Sequence, residues 1–365
     1  MKTAGYSYFQ LKKLFLKEIE ARNWTAGQKI PSERDLAVHY QVSRTTVRQA
    51  IAELTKEGFL ETLPGSGTFV SEGRTSHRPQ QKTIAFLVCT RGKPHYTVTT
   101  NLFYAQILRG VEQQAREQGY HCIVATVDEL SSDDAALESI CQKVDGLIIG
   151  ELHSEKFLQQ VEALSIPAVL ISPSLASAKI DVLEIANEEG SLQAIRHLAA
   201  IGHKKIAYLG GSSHSLPALR RLEGYRKALK EHNLPVHEDL IKICGWDFGN
   251  AGHATRELLK TGQFTAIFAA SDILAMAAIQ ELKTAGLCIP DDLSVVGYDD
   301  LETSAQTSPA LTTVTVYKEF MGRVALKTLL ARMDQAADPL TVDPGLRIIV
   351  PVTLTKRHST MAPKS

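Results

Sequence analysis

Two adjacent carboxylates, Asp299 and Asp300, close the stretch SVVGYDD, where an apolar run stops at a glycine. Acids at the end of a buried strand can act as general acid and base, supply half a metal site, or accept hydrogen bonds from a polar ligand. Adjacent residues after a strand point in different directions, so the pair is poorly placed to face one substrate. Asp299 is the expected ligand contact, and Asp300 a turn or capping acid. Other polar side chains follow other apolar runs: Thr90 and Arg91 after AFLVC, Ser271 and Asp272 after AIFAA, and Arg220 and Arg221 beyond the GGSSHSLPAL turn. A carboxylate accepts from two hydroxyls and a guanidinium donates in a fork, so the set suits a sugar or another polyhydroxy metabolite. Phe103 and Tyr104 begin a predicted helix, where their rings can stack on a ring-shaped ligand.

Other chemistries lack their residues. Gly210-Gly211-Ser212-Ser213 does not extend to the GxxxxGK[ST] pattern of a phosphate loop. The 12 histidines form no HExxH or HxH pattern, and the five cysteines no CxxC pair. No catalytic residue, metal site or cofactor is expected, and the cysteine usage fits a reducing compartment. The first 24 residues interrupt their apolar positions with Lys and Glu, and no apolar run approaches a membrane span. A cytoplasmic protein without a membrane partner is expected. The net charge is zero, but residues 1–82 carry 13 Lys/Arg against 8 Asp/Glu, and the rest carries the opposite surplus. This asymmetry points to an anionic partner for the front of the chain alone.

The front also has its own chemistry. In GQKIPSERDLAVHYQVSRTTVRQAIAELTKEGFL, Ser32 caps a short helix over about 33–40 that turns Leu36 and Ala37 inward. YQV makes a turn, and Ser43 caps a second helix that runs to about Glu57 and buries Val47, Ala50, Ile51 and Leu54. Residues 8–20, YFQLKKLFLKEIE, have helical spacing and precede the pair. The second helix opens on Arg44, Thr45, Thr46, Arg48 and Gln49, a polar surface suited to base edges in a major groove. FLETLPGSGTFVSE then reads as two short strands about a tip of Pro64, Gly65, Ser66 and Gly67.

Gly27–Val70 resembles the winged-helix domain of the GntR family of bacterial transcription regulators, nearly continuously, through GQKIPSERDLAVHYQVSRTTVRQAIAELTKEGFLETLPGSGTFV. The resemblance implies contacts to double-stranded operator DNA from Arg34, Arg44, Thr45 and Arg48. It also implies a phosphate contact from Ser43 and a wing contact near Gly65, Ser66 and Gly67. Ile30 stands where leucine is commoner in the family. The first domain is placed at 1–71, and EGRTSHRPQQK supplies a polar linker at 72–82.

Beyond the linker, the apolar runs TIAFLVC, HCIVATV, DGLIIG, PAVLIS, KIAYLGG, LIKICGW, AIFAAS and LSVVGYD alternate with amphipathic segments. Such alternation builds parallel sheets covered by helices, with ligands beyond the carboxyl ends of the strands. The repeats exceed one ordinary sheet, and two halves divided near 185–189 are expected. The second domain is placed at 83–365, and nearly all of residues 83–360 resembles the LacI/GalR-type effector domain, most strongly in GHKKIAYLGG, RRLEGYRKAL, FAASDILAMAAIQELKTAGLCIPDDLSVVGYDD, PALTTV and VPVTLTKRHST. The implied fold is a periplasmic-binding-protein-like bilobal domain of two doubly wound parallel sheets. The implied effector contacts are Phe103, Tyr104, Arg221, Ser271 and Asp299, with Asp272 beside Ser271. The family often has asparagine where Ser271 stands, and ISPSL lacks an Asp that some members carry.

The joined resemblances imply a homodimeric repressor whose operator binding is controlled by a small molecule, a sugar such as L-arabinose. Induction by release from DNA is expected, with corepression the alternative. A transport binding protein would share the body's fold but not the basic front. A sugar-directed enzyme would need Asp299 and Asp300 to face one substrate.

Overall fold

Apolar residues at helical spacing build the front of the chain. In the computed structural model, which describes residues 6, 8–20, 23–56, 58–63, 65–71, 82–91, 97–98, 100–130, 134–164, 166–175, 177–262, 264–335 and 344–364, helix α1 spans Tyr8–Glu20, α2 Glu33–His39 and α3 Arg44–Lys56. Strands β1, Leu60–Leu63, and β2, Gly67–Val70, pair antiparallel as a hairpin. Pro64 and most of the expected linker, 72–81, lie outside the described residues. Leu11, Phe15 and Ile19 of α1 close over Leu36 and Ala37 of α2 and Val47, Ala50, Ile51 and Leu54 of α3. Leu60 and Val70 attach the hairpin to this core. Leu54 is wholly buried, and truncating such a leucine costs about 2–5 kcal/mol.

The chain divides into two units, Met1–Gln81 and Lys82–Ser365. The second contains two sheets of six strands. The first lobe's sheet uses β3 (Thr83–Thr90), β4 (His121–Asp128), β5 (Gly146–Gly150), β6 (Ala168–Ile171), β7 (Asp181–Ile185) and β13 (Arg347–Val350), in the order β13-β7-β6-β5-β3-β4. The other lobe uses β8 (Ile206–Gly210), β9 (Ile241–Ile243), β10 (Ala266–Ala269), β11 (Ser294–Asp299), β12 (Thr312–Val316) and β14 (Val352–Thr355), in the order β14-β12-β11-β10-β8-β9.

The unbroken apolar strands follow from covering both faces of a sheet. On β3, Ile84, Phe86 and Val88 face the cluster with Ile107 and Val111 of α4 (Leu102–Glu117), while Ala85, Leu87 and Cys89 face Phe157, Leu158 and Val161 of α6 (Glu155–Ala163). Helix α5 (Asp134–Cys141) lies with α6, whereas α11 (Lys318–Gln335) packs on α4. In the second lobe, α7 (Asn187–Ala200), α8 (Leu216–Glu231), α9 (Phe248–Thr261) and α10 (Asp272–Thr284) enclose the sheet.

The sequence places the first lobe boundary well, since β7 ends at Ile185 and α7 of the other lobe begins at Asn187. The chain crosses twice more. From β12 it returns through Tyr317 to α11, and β13 passes through Pro351 into β14. The sheets are parallel as expected apart from one edge strand: β14 pairs antiparallel with β12. A parallel neighbour in one sheet needs a crossover connection. β14 instead enters directly from the other lobe, so that constraint does not set its direction.

Candidate functional site

In the first unit, α3 presents the polar surface expected from its sequence. Ser43 Oγ accepts from the Thr46 amide at 3.1 Å, fixing the helix start. Arg44, Thr45 and Arg48 are exposed on it, as is Arg34 on α2. Glu33 organises the arginines: its carboxylate takes two hydrogen bonds from Arg48, at 3.2 and 2.9 Å, with Arg44 4.0 Å away. The hydrogen bonds from Arg48, followed by its charge, hold the Glu33 carboxyl below its ordinary value. Sequence reasoning missed Glu33, although its place after the Ser32 cap was available. At the hairpin tip, Gly65 and Ser66 are exposed. Gly67 has φ +115°, and a Cβ there would meet Lys29 Cε at 2.5 Å. The Lys29 end is flexible and yields to such an atom, so it is the backbone conformation that favours glycine at this turn.

The second unit contains an interlobe cavity of about 390 Å³. Phe103, Tyr104, Arg221, Ser271 and Asp299, the contacts the family resemblance implies, all line it. Asn101 accepts from the Phe103 and Tyr104 amides at 3.1 and 3.3 Å, so the aromatic pair forms the capped start of α4. Their rings meet edge to face, 5.3 Å between centroids.

Arg221 is held from several directions. It donates to Asn187 Oδ1 at 2.8 Å, the Ala270 carbonyl at 2.5 Å and Asp299 Oδ1 at 3.2 Å. Its guanidinium carbon lies 3.7 Å from the Tyr298 ring centroid and 5.7 Å from that of Trp246. Such a clamp fixes the orientation of a guanidinium that lines the cavity. Burial raises the Asp299 carboxyl above its ordinary value despite the charges of Arg221 and Lys318. Asp299 has φ +107° and Asp300 φ +51°, so the main chain at this acid pair occupies a region unusual for residues with side chains.

The expectation for Asp272 changes. Asp272 does not line the cavity. It is fully buried, accepting from the Leu301 amide at 2.8 Å and from the hydroxyls of Ser304 and Thr313 at 2.5 Å each. Burial, then the nearby Asp299 charge, pushes its carboxyl up to about 7. Ser271, rather than Asp272, is the N-cap of α10, accepting from the Leu274 amide at 3.3 Å. Asp300 leaves the cavity to Asp299: it pairs with Arg357 at 2.7 Å and accepts from Thr315 at 2.9 Å. Arg91 pairs with Glu129 at 3.4 Å, and Arg220 with Glu223 at 2.9 Å. Neither arginine lines the interlobe cavity.

Trp246, His153, Ser172 and Ser174 also line the cavity. Trp246 follows the run LIKIC and His153 follows GLIIG, so the strand-end rule had a signal for both. Glu129, buried behind His153, accepts from the amides of His153 and Ser154 at 2.8 and 2.9 Å. His153 Nδ1 lies buried, 3.7 Å from Glu129 Oε1 and without a hydrogen-bond partner among the described residues. Burial lowers the imidazole pKa more than this carboxylate raises it. Neutral imidazole can donate and accept, a pairing that matches a hydroxyl ligand.

A winged helix-turn-helix with arginines exposed on its second helix, in one chain with a bilobal unit holding a polar cavity, defines the class of ligand-regulated transcription factors. Residues 8–70 match the model of bacterial regulatory proteins of the gntR family, and 195–360 that of the periplasmic binding protein-like domain. The chain is 30% identical over 366 residues to the arabinose metabolism transcriptional repressor of Geobacillus stearothermophilus, covering 97% of each chain. The solved complex of the transcriptional regulator CelR with cellobiose has a TM-score of 0.68 at 25% identity, over 90% of this chain and 100% of that one. The lac repressor dimer bound to operator and the anti-inducer ONPF gives 0.66 at 26%, over 78% and 96%. The chain belongs to the LacI/GalR superfamily of DNA-binding repressors, with a GntR-type domain at its front. It is a repressor regulated by a small-molecule effector, and the relatives named above are regulators rather than enzymes. Among the described residues, no helix is long and apolar enough to cross a membrane.

Proposed function

We propose that the interlobe cavity binds a sugar, L-arabinose being the first candidate, and that this binding releases a homodimer from its operator. The observation that carries the reading is the clamped Arg221–Asp299 pair beside Phe103 and Trp246 in a cavity of about 390 Å³. Fixed donors and acceptors suit hydroxyls, and the aromatic faces suit the apolar side of a sugar ring. The volume falls near the lower end of the roughly 300–1,000 Å³ range of small-molecule pockets, which favours a monosaccharide. The arabinose-metabolism relative supports the particular sugar.

Arg34, Ser43, Arg44, Thr45 and Arg48, with the wing at Gly65, Ser66 and Gly67, are the proposed DNA contacts. Phe103, Tyr104, Arg221, Ser271 and Asp299 are the proposed effector contacts, joined by Trp246 and His153. The domains are assigned to residues 1–71 and 83–365, joined by the linker at 72–82. Two-fold symmetric association matches the usual symmetry of operator half-sites, and the lac repressor relative is a dimer on its operator. Effector control requires the sugar to bind the DNA-free arrangement more tightly than the DNA-bound one.

Calorimetric titration with L-arabinose, D-ribose, D-glucose and cellobiose, paired with operator binding followed by fluorescence anisotropy, tests this reading. L-Arabinose is expected to bind most tightly and weaken operator affinity. Tighter operator binding with sugar establishes corepression instead. No binding of any of the four overturns the sugar assignment.

A further inference from the structure

The cavity is shaped from behind by a lysine that does not line it. Lys318, the first residue of α11, follows the second crossing between the lobes. It is 5% exposed. A buried ammonium is costly, and the positive end of a helix dipole disfavours it further. Accordingly, burial lowers the Lys318 pKa, although Asp299, Asp272 and Asp300 oppose that shift. The compensation comes from main-chain oxygens. Nζ donates to the carbonyl of Asp299, to that of Asp300 at 3.1 Å and to that of Val316 at 3.3 Å. Two of these carbonyls belong to the consecutive positive-φ residues, and the third to the end of β12 just before the crossing.

Other contacts secure the same segment. Asp272 holds the Leu301 amide, and Arg357 holds the Asp300 carboxylate. Lys318 joins the carbonyls of Asp299 and Asp300 to that of Val316 at the crossing strand end, beside the β11–β12 pairing of Asp299 with Thr315 and the hydrogen bond from Thr315 to the Asp300 carboxylate. Unusual backbone conformations persist when surrounding contacts over-determine them, and this ammonium supplies such contacts to both residues.

We propose that Lys318 is a positioning residue for effector recognition: its ammonium holds the Asp299–Asp300 main chain in the conformation that points Asp299 toward Arg221 and the cavity, and links that conformation to the crossing between the lobes. A change at the Asp299 carboxylate is thereby felt at the segment joining the lobes. The proposal rests on the reading of Asp299 as an effector contact.

The test uses the full chain with Lys318→Met, which keeps an unbranched side chain and removes the charge. Hydrogen–deuterium exchange without sugar reads the segment 299–303, with β8 at 206–210 as an internal control. Titration with L-arabinose, or with the sugar the wild type binds most tightly among the four above, reads the effector site. Exchange at 299–303 is expected to rise at least about tenfold with β8 unchanged. Sugar affinity is expected to fall about tenfold or more, as for the loss of a hydrogen-bonded charge, while sugar-free operator affinity stays within about twofold.

Wild-type exchange at 299–303 overturns the positioning role whether or not any sugar binds. Raised exchange with unchanged sugar affinity overturns the link to recognition. A parallel Asp299→Asn titration then shows whether the reading of Asp299 failed with it. Lys318→Arg covers the case in which Lys318→Met does not fold. Its planar fork cannot place three donors as one ammonium does, so the same directions are expected, and wild-type behaviour in both assays overturns the proposal.

Discussion

Replacing Asp299 with asparagine separates ligand recognition from folding. The carboxylate lies 3.2 Å from Arg221 Nη1, with both side chains at least nine-tenths buried. At an effective dielectric constant of about 20, their gross attraction is about 5 kcal/mol. Burial opposes it, and the raised Asp299 pKa shows that burial dominates the balance for this carboxyl. Removing the charge therefore loses attraction and regains a desolvation cost. Arg221 also keeps Asn187, the Ala270 carbonyl and the Tyr298 face. Asparagine preserves an oxygen for Arg221 and tolerates positive φ better than most residues, which matters at φ +107°. Folding stability is expected to change by no more than about 1–2 kcal/mol. A sugar hydroxyl bonded to the carboxylate loses a charge-assisted acceptor, worth about 1.5–3 kcal/mol and hence roughly 10–150-fold in Kd. Calorimetry should show that loss, while anisotropy should show wild-type operator affinity without sugar and a response displaced to higher sugar concentration. An unchanged sugar Kd in a folded variant would refute the assignment of Asp299 as a contact.

Three other perturbations address different parts of the molecule. Arg48→Ala should weaken specific operator binding by about 1–3 kcal/mol if the side chain reads a base, with little loss of stability because its pair with Glu33 is exposed; equal affinity for operator in anisotropy would remove it from the interface. Gly67→Ala should lower the thermal midpoint of the first unit through the cost of φ +115°, about 1–3 kcal/mol, and leave sugar binding unchanged; an unchanged midpoint would show that the wing relaxes freely. Asp272 binds its proton more tightly when folded, up to about 7 against an ordinary 3.8, so its contribution to stability should decline as pH rises from about 4 to about 7. Asp272→Asn should flatten that part of the urea-midpoint profile, and parallel profiles would contradict the assignment.

The elements legible in the sequence are those whose environment is uniform along their length. The run at 84–89 reads as a strand because helices cover both faces of β3, and α3 reads as a helix because Val47, Ala50, Ile51 and Leu54 share its inward stripe. Helix α11 escaped the reading because Met321, Ala325, Leu326 and Leu329 join the core while Val324, Leu330 and Met333 pack around them, leaving no narrow stripe. Its membership in the first lobe, and the division of RIIVPVTLT between two sheets, follow from three-dimensional pairing that local periodicity does not encode. The site shows the same limit. Strand ends pointed to Asp299 and Ser271 as cavity-lining residues, but residue type could not assign different tasks to Asp272 and Asp299. Asp272 is consumed by three internal donors, whereas Asp299 has one oxygen on Arg221 and lines the cavity.

That division bears on how binding reaches DNA. Asp272 fixes Leu301 and Ser304, while Lys318 gathers the carbonyls of Asp299, Asp300 and Val316. The Asp299 carboxylate, which lines the cavity, thus stands between an internally fixed loop and a lobe crossing. A ligand that pulls on Asp299 works against the first and through the second, so the crossing is the place where binding energy can become movement between lobes. Differential affinity for the two lobe arrangements is what a repressor needs to change its hold on an operator. The cavity and the Lys318 crossing therefore belong to one device, and a variant that loosens the crossing should blunt the sugar response even with every cavity-lining side chain intact.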